Sequence, residues 1–318
     1  MKTMNLKKLC AVMLAIVMLL TMAACAGKTN TPAAETPAQL DAPATETPAT
    51  EAPAAEETPA ADGASYKVAI VKQLTDQAIA DGVNAIIPIA TTAAQLAALS
   101  AEDSKTPVVY AAISDPAAAK LTGIDYVTGT SDALNTAFIL DMMLKQNPDT
   151  AKVGLLYSLS EPNSATPIAD AKAYLEEKGI AYTEQTANTN DEVVAAAAAL
   201  IADGVDAIFT PTDNVIMAAE LAIYEDLAKA GIPHYAGADS FVRNGAFATC
   251  GVNYTSLGAR TADLAYQAIT EGMDGLDDYY LMDGGIITVN TETAAALGID
   301  PAVFADMGEL VEVGTTKE

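Results

Sequence analysis

Between Tyr66 and Glu318 the chain alternates short, unbroken apolar runs with longer stretches of helical period. The runs are Lys67–Val71, Ala85–Ala90, Pro107–Ala112, Tyr126–Thr130, Lys152–Tyr157, Ala181–Gln185, Ala207–Thr210, His234–Ala236 and Ala246–Val252. Several are continuously apolar, not alternating, as expected of strands covered on both faces. Between them lie the helical patterns Thr92–Leu99, Ala133–Gln146, Thr166–Lys178, Asp191–Asp203, Val215–Ala230 and Ser256–Glu271. Strand and helix in alternation predict a doubly wound α/β fold with parallel sheets. The helix stops agree, since Gly179, Gly204 and Gly231 each stand just past a periodic run.

Breaks near Ser131 and Tyr254 sort the strands into two groups. This predicts two lobes with the chain crossing between them more than once: 66–131 with 252–285, and 132–251 with 286–318. An internal likeness fits such a plan. Ile79-Ala80-Asp81-Gly82-Val83-Asn84-Ala85-Ile86-Ile87-Pro88 parallels Ile201-Ala202-Asp203-Gly204-Val205-Asp206-Ala207-Ile208-Phe209-Thr210, each a helix end, a glycine turn and a strand. Convergence on a common helix-to-strand joint accounts for the pair equally well.

The N-terminal sixty-five residues follow different rules. Lys2, Lys7 and Lys8 precede an apolar run from Leu9 to Leu20, which ends in Met22-Ala23-Ala24 before Cys25. Basic residues, a short apolar stretch and small residues form a secretory signal over 1–24. The run is shorter than the roughly 20 residues a membrane span needs. A cysteine at the junction resembles the lipobox of bacterial lipoproteins, which implies cleavage before Cys25 and lipidation of its sulfur. Residues 26–65 are built from Ala, Thr, Pro and Glu, with Thr-Pro at 31–32, 36–37, 47–48 and 58–59. So few large apolar side chains cannot offset the entropy of ordering, so 25–65 reads as a lipidated cysteine with a disordered, extended tether. The expected location is the outer face of a cell membrane, held by lipid.

The net charge is −26 at pH 7. Loss of the signal removes three lysines and no acids, leaving the remainder more acidic still. Such a surface excludes nucleic acid as a natural partner. Beyond Cys25 the one further thiol is Cys250, in the strand-like Ala248-Thr249-Cys250-Gly251-Val252, so no internal disulfide framework exists and a small buried side chain is expected. The single histidine, His234, has no second histidine to share a metal and reads as structural. No Gly-x-Ser-x-Gly elbow, Cys/His pair or glycine-rich phosphate loop is present, so neither catalysis nor a cofactor or metal is expected.

Polar turns follow the predicted strands: Thr91-Thr92-Ala93-Ala94-Gln95, Ser114-Asp115-Pro116 and Pro211-Thr212-Asp213-Asn214, then Glu161-Pro162-Asn163-Ser164 and Ala238-Asp239-Ser240. In open α/β sheets, ligands bind at the carboxyl ends of the strands. Helix N-termini there offer N–H groups to an anion, and Asp213 or Asp115 can meet an ammonium. Any one such turn is equally a helix cap; several together point to a site for a zwitterion.

These segments, with Val242-Arg243-Asn244-Gly245-Ala246, Asn253-Tyr254 and Leu257-Gly258, resemble the substrate-binding lipoproteins of ABC transporters that include tryptophan- and tyrosine-binding components. The resemblance covers about Tyr66 to Ile299. It implies a periplasmic-binding-protein type I fold, capture of a small amino-acid-like and often aromatic ligand between two lobes, and delivery to a permease. Carried over by position, Thr91, Thr92, Gln95, Ser114 and Asp115 line the first lobe, and Asn163, Thr212, Asp213 and Asp239 the second. Asp213 receives the ammonium and the first-lobe helix the carboxylate, with Tyr157 and Phe241 as an aromatic wall. One departure stands out. Relatives carry a long helix, a strand and the beginning of a further helix between the first strand and the segment equivalent to Leu74, whereas here Lys72-Gln73 runs straight into Leu74–Asp81, about one βα unit short. A sensor or interaction paralogue that no longer binds a transported solute is the alternative reading.

Overall fold

The structure is a computed structural model that describes residues 63–282 and 284–316. The signal segment, Cys25 and all but the last three tether residues lie outside that range. In chain order the elements are α1 (Gly63–Ala80), α2 (Thr91–Ser100), β1 (Val108–Tyr110), β2 (Val127–Ser131), α3 (Thr136–Gln146) and β3 (Lys152–Tyr157). Next come α4 (Ala165–Lys178), β4 (Ala181–Thr186), α5 (Asn190–Asp203), β5 (Ala207–Thr210), α6 (Asn214–Lys229), β6 (His234–Ala236) and α7 (Asp239–Arg243). The chain closes with β7 (Ala248–Gly251), α8 (Tyr254–Thr270), β8 (Tyr280–Leu281), β9 (Ile286–Asn290), α9 (Thr291–Leu297) and β10 (Glu309–Val313).

Two sheets form. The larger has seven strands in the order β10-β9-β7-β6-β5-β3-β4. It is parallel throughout except where β9 runs antiparallel to β7. Apolar side chains cover both faces. Ile139, Met143, Ile168 and Leu175 of α3 and α4 pack on one, and Val193, Leu200, Ile216 and Ile223 of α5 and α6 on the other. The inner strand β5 is buried at every position, whereas the edge strand β4 has only exposed and half-buried positions. Burial on both faces is the reason that β5 reads as an unbroken apolar run.

The smaller sheet has three strands in the order β1-β2-β8, all parallel. Ala94 and Ala97 of α2 pack with Tyr110 on one face, and Leu264, Ala265 and Ala268 of α8 against Val109 on the other. The predicted strand Ala85–Ala90 forms two isolated bridges to the β1 segment, Ile86 to Val108 and Ile89 to Ala111. Its outer side is an open edge, with Ile87 39% and Ile89 47% exposed.

The chain passes between the sheets at three places: Asp132–Asn135 after β2, Val252–Asn253 after β7, and between β8 and β9.

The predicted strand Lys67–Val71 is helical, as part of α1. No Gly, Pro or Asn interrupts Tyr66–Ala80. A helix nucleated over Gln73–Ala80 propagates backward at little cost, and this overrides the β preference of Val68, Ile70 and Val71. Among the described residues no helix is long and apolar enough to cross a membrane.

Candidate ligand-binding site

Between the sheets, where their strands end, lies a cavity of about 350 Å³. The smaller-sheet side contributes Ile89, Ala90, Thr91, Ala112 and Ser114. From the larger-sheet side come Asn163, Thr212, Asp213, Asn214 and Met217, then Ala238, Asp239, Ser240 and Phe241 from the turn after β6. Asp132 and Tyr254, from two of the crossings, complete it. Every wall segment from the sheets follows the carboxyl end of a strand, the position at which open α/β sheets bind ligands. No Lys, Arg or His is among these residues.

The two sides treat their helix starts differently. Asp213 is the N-cap of α6 and is fully buried. Its Oδ1 accepts from the N–H groups of Val215 and Ile216, both at 3.1 Å. Its Oδ2 accepts from the Ser158 N–H and the Ser164 hydroxyl, both at 2.7 Å. Those four bonds fill the acceptor capacity of a carboxylate. The expected role of Asp213 as ammonium receptor is therefore corrected: it closes a helix end and pins the turns after β3. Burial still outweighs these bonds and raises its carboxyl above the ordinary value.

Helix α2 starts at Ala90, whose side chain cannot cap. Its backbone stands at φ 69°, ψ 161°, a region that only glycine enters freely. Ala112, also in the wall, has φ 57°. Backbone held in such conformations clusters at ligand clamps and switch regions. The first-turn N–H groups of α2 accept no help from a side chain.

Direct hydrogen bonds join the two sides. Ser114 Oγ and Thr212 Oγ1 are 3.0 Å apart, and the Thr166 hydroxyl donates to Asp115 Oδ2 at 2.9 Å. Asn163 Nδ2 donates to the Thr212 carbonyl at 2.6 Å and steadies that turn. Gly237 is needed beside it, because a Cβ there would stand 2.5 Å from the Thr212 nitrogen.

Of the ten residues singled out from the sequence, Thr91, Ser114, Asn163, Thr212, Asp213 and Asp239 line the cavity. Four do not. Asp115 is occupied by Ala118 N–H and Thr166. Gln95 stands a turn further along α2 and donates to the Ala119 carbonyl. Thr92 lies about 100° around the helix from Thr91. Tyr157 packs against the core under α3 and α4 and donates to Glu184 Oε2 at 2.7 Å, burial and that bond together pushing its hydroxyl up to about 12. Phe241 does line the cavity. Sequence reading missed Asp132, Met217 and Tyr254 as wall residues, although Asn253-Tyr254 carried part of the family resemblance.

His234 is buried, its ring between Glu220 Oε1 at 3.0 Å and Thr210 Oγ1 at 2.8 Å. Cys250 is buried, its thiol pushed up to about 11 by that burial. Among the described residues no cluster of His, Cys, Asp or Glu could hold a metal ion.

Residues 60–302 match the family described as ABC transporter substrate binding protein, and the chain belongs to that family. It is a family of binding proteins, not of enzymes. The chain is 27% identical over 231 residues to the tyrosine-binding protein of Clostridioides difficile. That match covers 71% of this chain and 66% of the relative, just under two thirds of it. Among solved structures, a conserved domain protein from Vibrio cholerae superposes with a TM-score of 0.69 at 27% identity, over 77% of this chain and 84% of that one. A domain from Streptococcus pneumoniae, solved in complex with L-tryptophan, gives 0.68 at 28% identity, over 77% and 86%. The ligand-free, open structure of a Clostridium difficile substrate-binding protein with adhesive properties gives 0.59 at 26% identity, over 78% and 84%.

Proposed function

We propose that this chain is the extracytoplasmic solute receptor of an ABC importer, and that it captures an amino-acid-like solute, aromatic ones included, in the cavity between its sheets and hands it to a permease. The observation that carries this reading is the cavity itself. It lies at the strand ends, faces the uncapped start of α2 on one side and carboxylates on the other, and is walled by Phe241, Tyr254 and Met217. A ligand carboxylate would take the free N–H groups and positive dipole end of α2. The aromatic walls suit an apolar side chain. Binding to L-tryptophan and the tyrosine-binding name, printed for two relatives, agree with that chemistry.

The lobes of this reading are 66–131 with 252–285 and 132–251 with 286–318, hinged at the crossings. Cys25 carries the lipid, 1–24 is removed, and the tether lets the body reach a membrane-bound permease. The smaller lobe is one βα unit short, a reading supported by its open edge at Ile87 and Ile89. The same edge supports a second reading, a sensor or interaction paralogue without a transported solute.

Thermal unfolding with the common L-amino acids separates them. A ligand at a hundred times its Kd stabilises the fold by about 2.7 kcal/mol. The receptor reading expects a clear rise in melting temperature with one or more amino acids. No rise with any of them at millimolar concentration would favour the paralogue.

A further inference from the structure

Behind the cavity wall, on the larger sheet, lies a buried ionisable pair. His234 opens β6 and Glu220 stands on α6, their side chains 2% and 0% exposed. His234 Nδ1 is 3.0 Å from Glu220 Oε1, and Nε2 is 2.8 Å from Thr210 Oγ1. Among the described residues nothing hydrogen-bonds Glu220 Oε2, which is buried. The His234 and Phe241 rings meet edge to face, their centroids 6.3 Å apart and their planes at 83°. His234, Glu220 and Thr210 all stand outside the cavity lining.

Each partner of His234 belongs to a segment that carries part of the wall. Thr210 ends β5, and the turn that follows supplies Thr212 and Asp213. Glu220 comes most of one helical turn after Met217 on α6. Phe241 is itself a wall residue, on α7. The surroundings are otherwise apolar. His234 shares a sheet face with Ala236 and with its register partner Ile208, and Ile216, Ala219 and Ile223 pack there. Such a pair is a poor source of stability, because the cost of taking two ionisable groups out of water offsets their attraction, and an apolar pair of similar volume is often as stable. What the pair adds is direction. Hydrogen bonds at opposite ends of the imidazole fix its rotation, and the fixed ring sets the tilt of Phe241 through their edge-to-face contact.

We infer that the His234–Glu220 pair positions Phe241, and that it thereby sets the preference of the cavity for aromatic over aliphatic side chains on the solute. This rests on the cavity being a solute site. A ring held at one tilt offers a flat solute ring an ordered surface to pack on. An aliphatic chain has no preferred plane and draws little from that order. Loosening the pair therefore weakens aromatic solutes and leaves aliphatic ones nearly unchanged. His234 acts through Phe241 and is a positioning residue.

The test is calorimetric titration of the full chain with L-tryptophan, L-tyrosine and L-phenylalanine against L-leucine and L-methionine. Wild type is compared with a variant that carries both His234→Val and Glu220→Leu. We expect wild type to favour an aromatic amino acid, and the ratio of aromatic to aliphatic affinity to fall about 10-fold in the variant, with its melting temperature unchanged or raised. Glu220→Gln, whose amide oxygen still accepts from Nδ1, should keep the wild-type ratio. A pair that only held the fold together would lower the melting temperature and weaken every solute alike, and that result overturns the assignment. So does an unchanged ratio in the double variant, or a wild type that binds aliphatic solutes as well as aromatic ones; both leave the cavity reading intact. His234 is the single histidine, so its imidazole signals report on the wild type by nuclear magnetic resonance. They should shift more with an aromatic solute than with an aliphatic one. Equal shifts overturn the assignment, and this comparison decides should the double variant not fold. If none of these amino acids binds, the cavity reading fails and the assignment with it.

Discussion

The segments Ile79–Ser100 and Ile201–Lys229 are one structural unit finished in two ways. In each, a helix ends, a glycine at φ 75° (Gly82) or 67° (Gly204) turns the chain, and an apolar run leads to a cavity-lining turn and a second helix. On the larger sheet the run is the full strand β5, paired on both sides. On the smaller it is two bridges at an open edge. The larger-sheet helix start is sealed by Asp213, while the smaller-sheet start, at Ala90, has no cap. The difference is one of sealing: the start of α6 is closed by a side chain, and the start of α2 leaves its first-turn N–H groups without one.

Removing the seal has the largest expected effect. Asp213→Ala strips four buried or half-buried donors of their acceptor, and chemical denaturation should show a loss of about 3 kcal/mol or more. A loss below about 1 kcal/mol, the size of one ordinary cap, would mean that the two joints are equivalent.

Acidity probes the same contrast. Burial raises the carboxyls of Asp132, Glu161 and Asp213 above their ordinary values. Each keeps its proton in the folded chain at a pH where the unfolded chain has lost it. Stability from these groups therefore falls as pH rises above the unfolded value of about 4. Asp76, Glu184, Asp203 and Asp306 are shifted down by their lysine partners, and their contribution is lost only as pH falls below that value. Relief of charge repulsion in a chain of net charge −26 has the same sign as the first group. Melting temperature should rise as pH is lowered from 7 toward 5, and rise less in Asp132→Asn. A wild-type melting temperature that drops over that range contradicts the burial of these carboxyls.

At the unsealed joint, Ala90→Gly relieves a left-handed backbone but adds freedom to the unfolded chain. The expected gain is about 1 kcal/mol or less, read as a small rise in melting temperature. A loss would show that the added freedom of the unfolded chain outweighs the strain relieved at φ 69°. The smallest effect belongs to the bond between the sides. Thr166→Val deletes one half-buried hydrogen bond to Asp115, worth about 1 kcal/mol. Amide exchange in the Ser114–Asp115 turn should quicken, with β3 unaffected.

The fold was legible where burial imposes it. Lys152–Tyr157, Ala207–Thr210 and His234–Ala236 are strands with the bounds that their apolar runs suggest, because both faces of those strands are covered. The late strands β8, β9 and β10 escaped notice: β8 is two residues long, and β10 is an edge strand with exposed positions. In the site, turn residues after strands were readable because the carboxyl edge fixes where they go. Their roles were not, since a capping aspartate and a non-capping one look alike in sequence. Asp132 stayed hidden because its partners are Ser114 and Tyr254, which only folding brings beside it.

The most direct measurement is a crystal structure of the chain grown with L-tryptophan or L-tyrosine. The account predicts the amino acid between the sheets, its carboxylate at the first turn of α2 and its ring against Phe241 or Tyr254. An amino acid bound elsewhere, or lying in the cavity with its carboxylate away from α2, would contradict it.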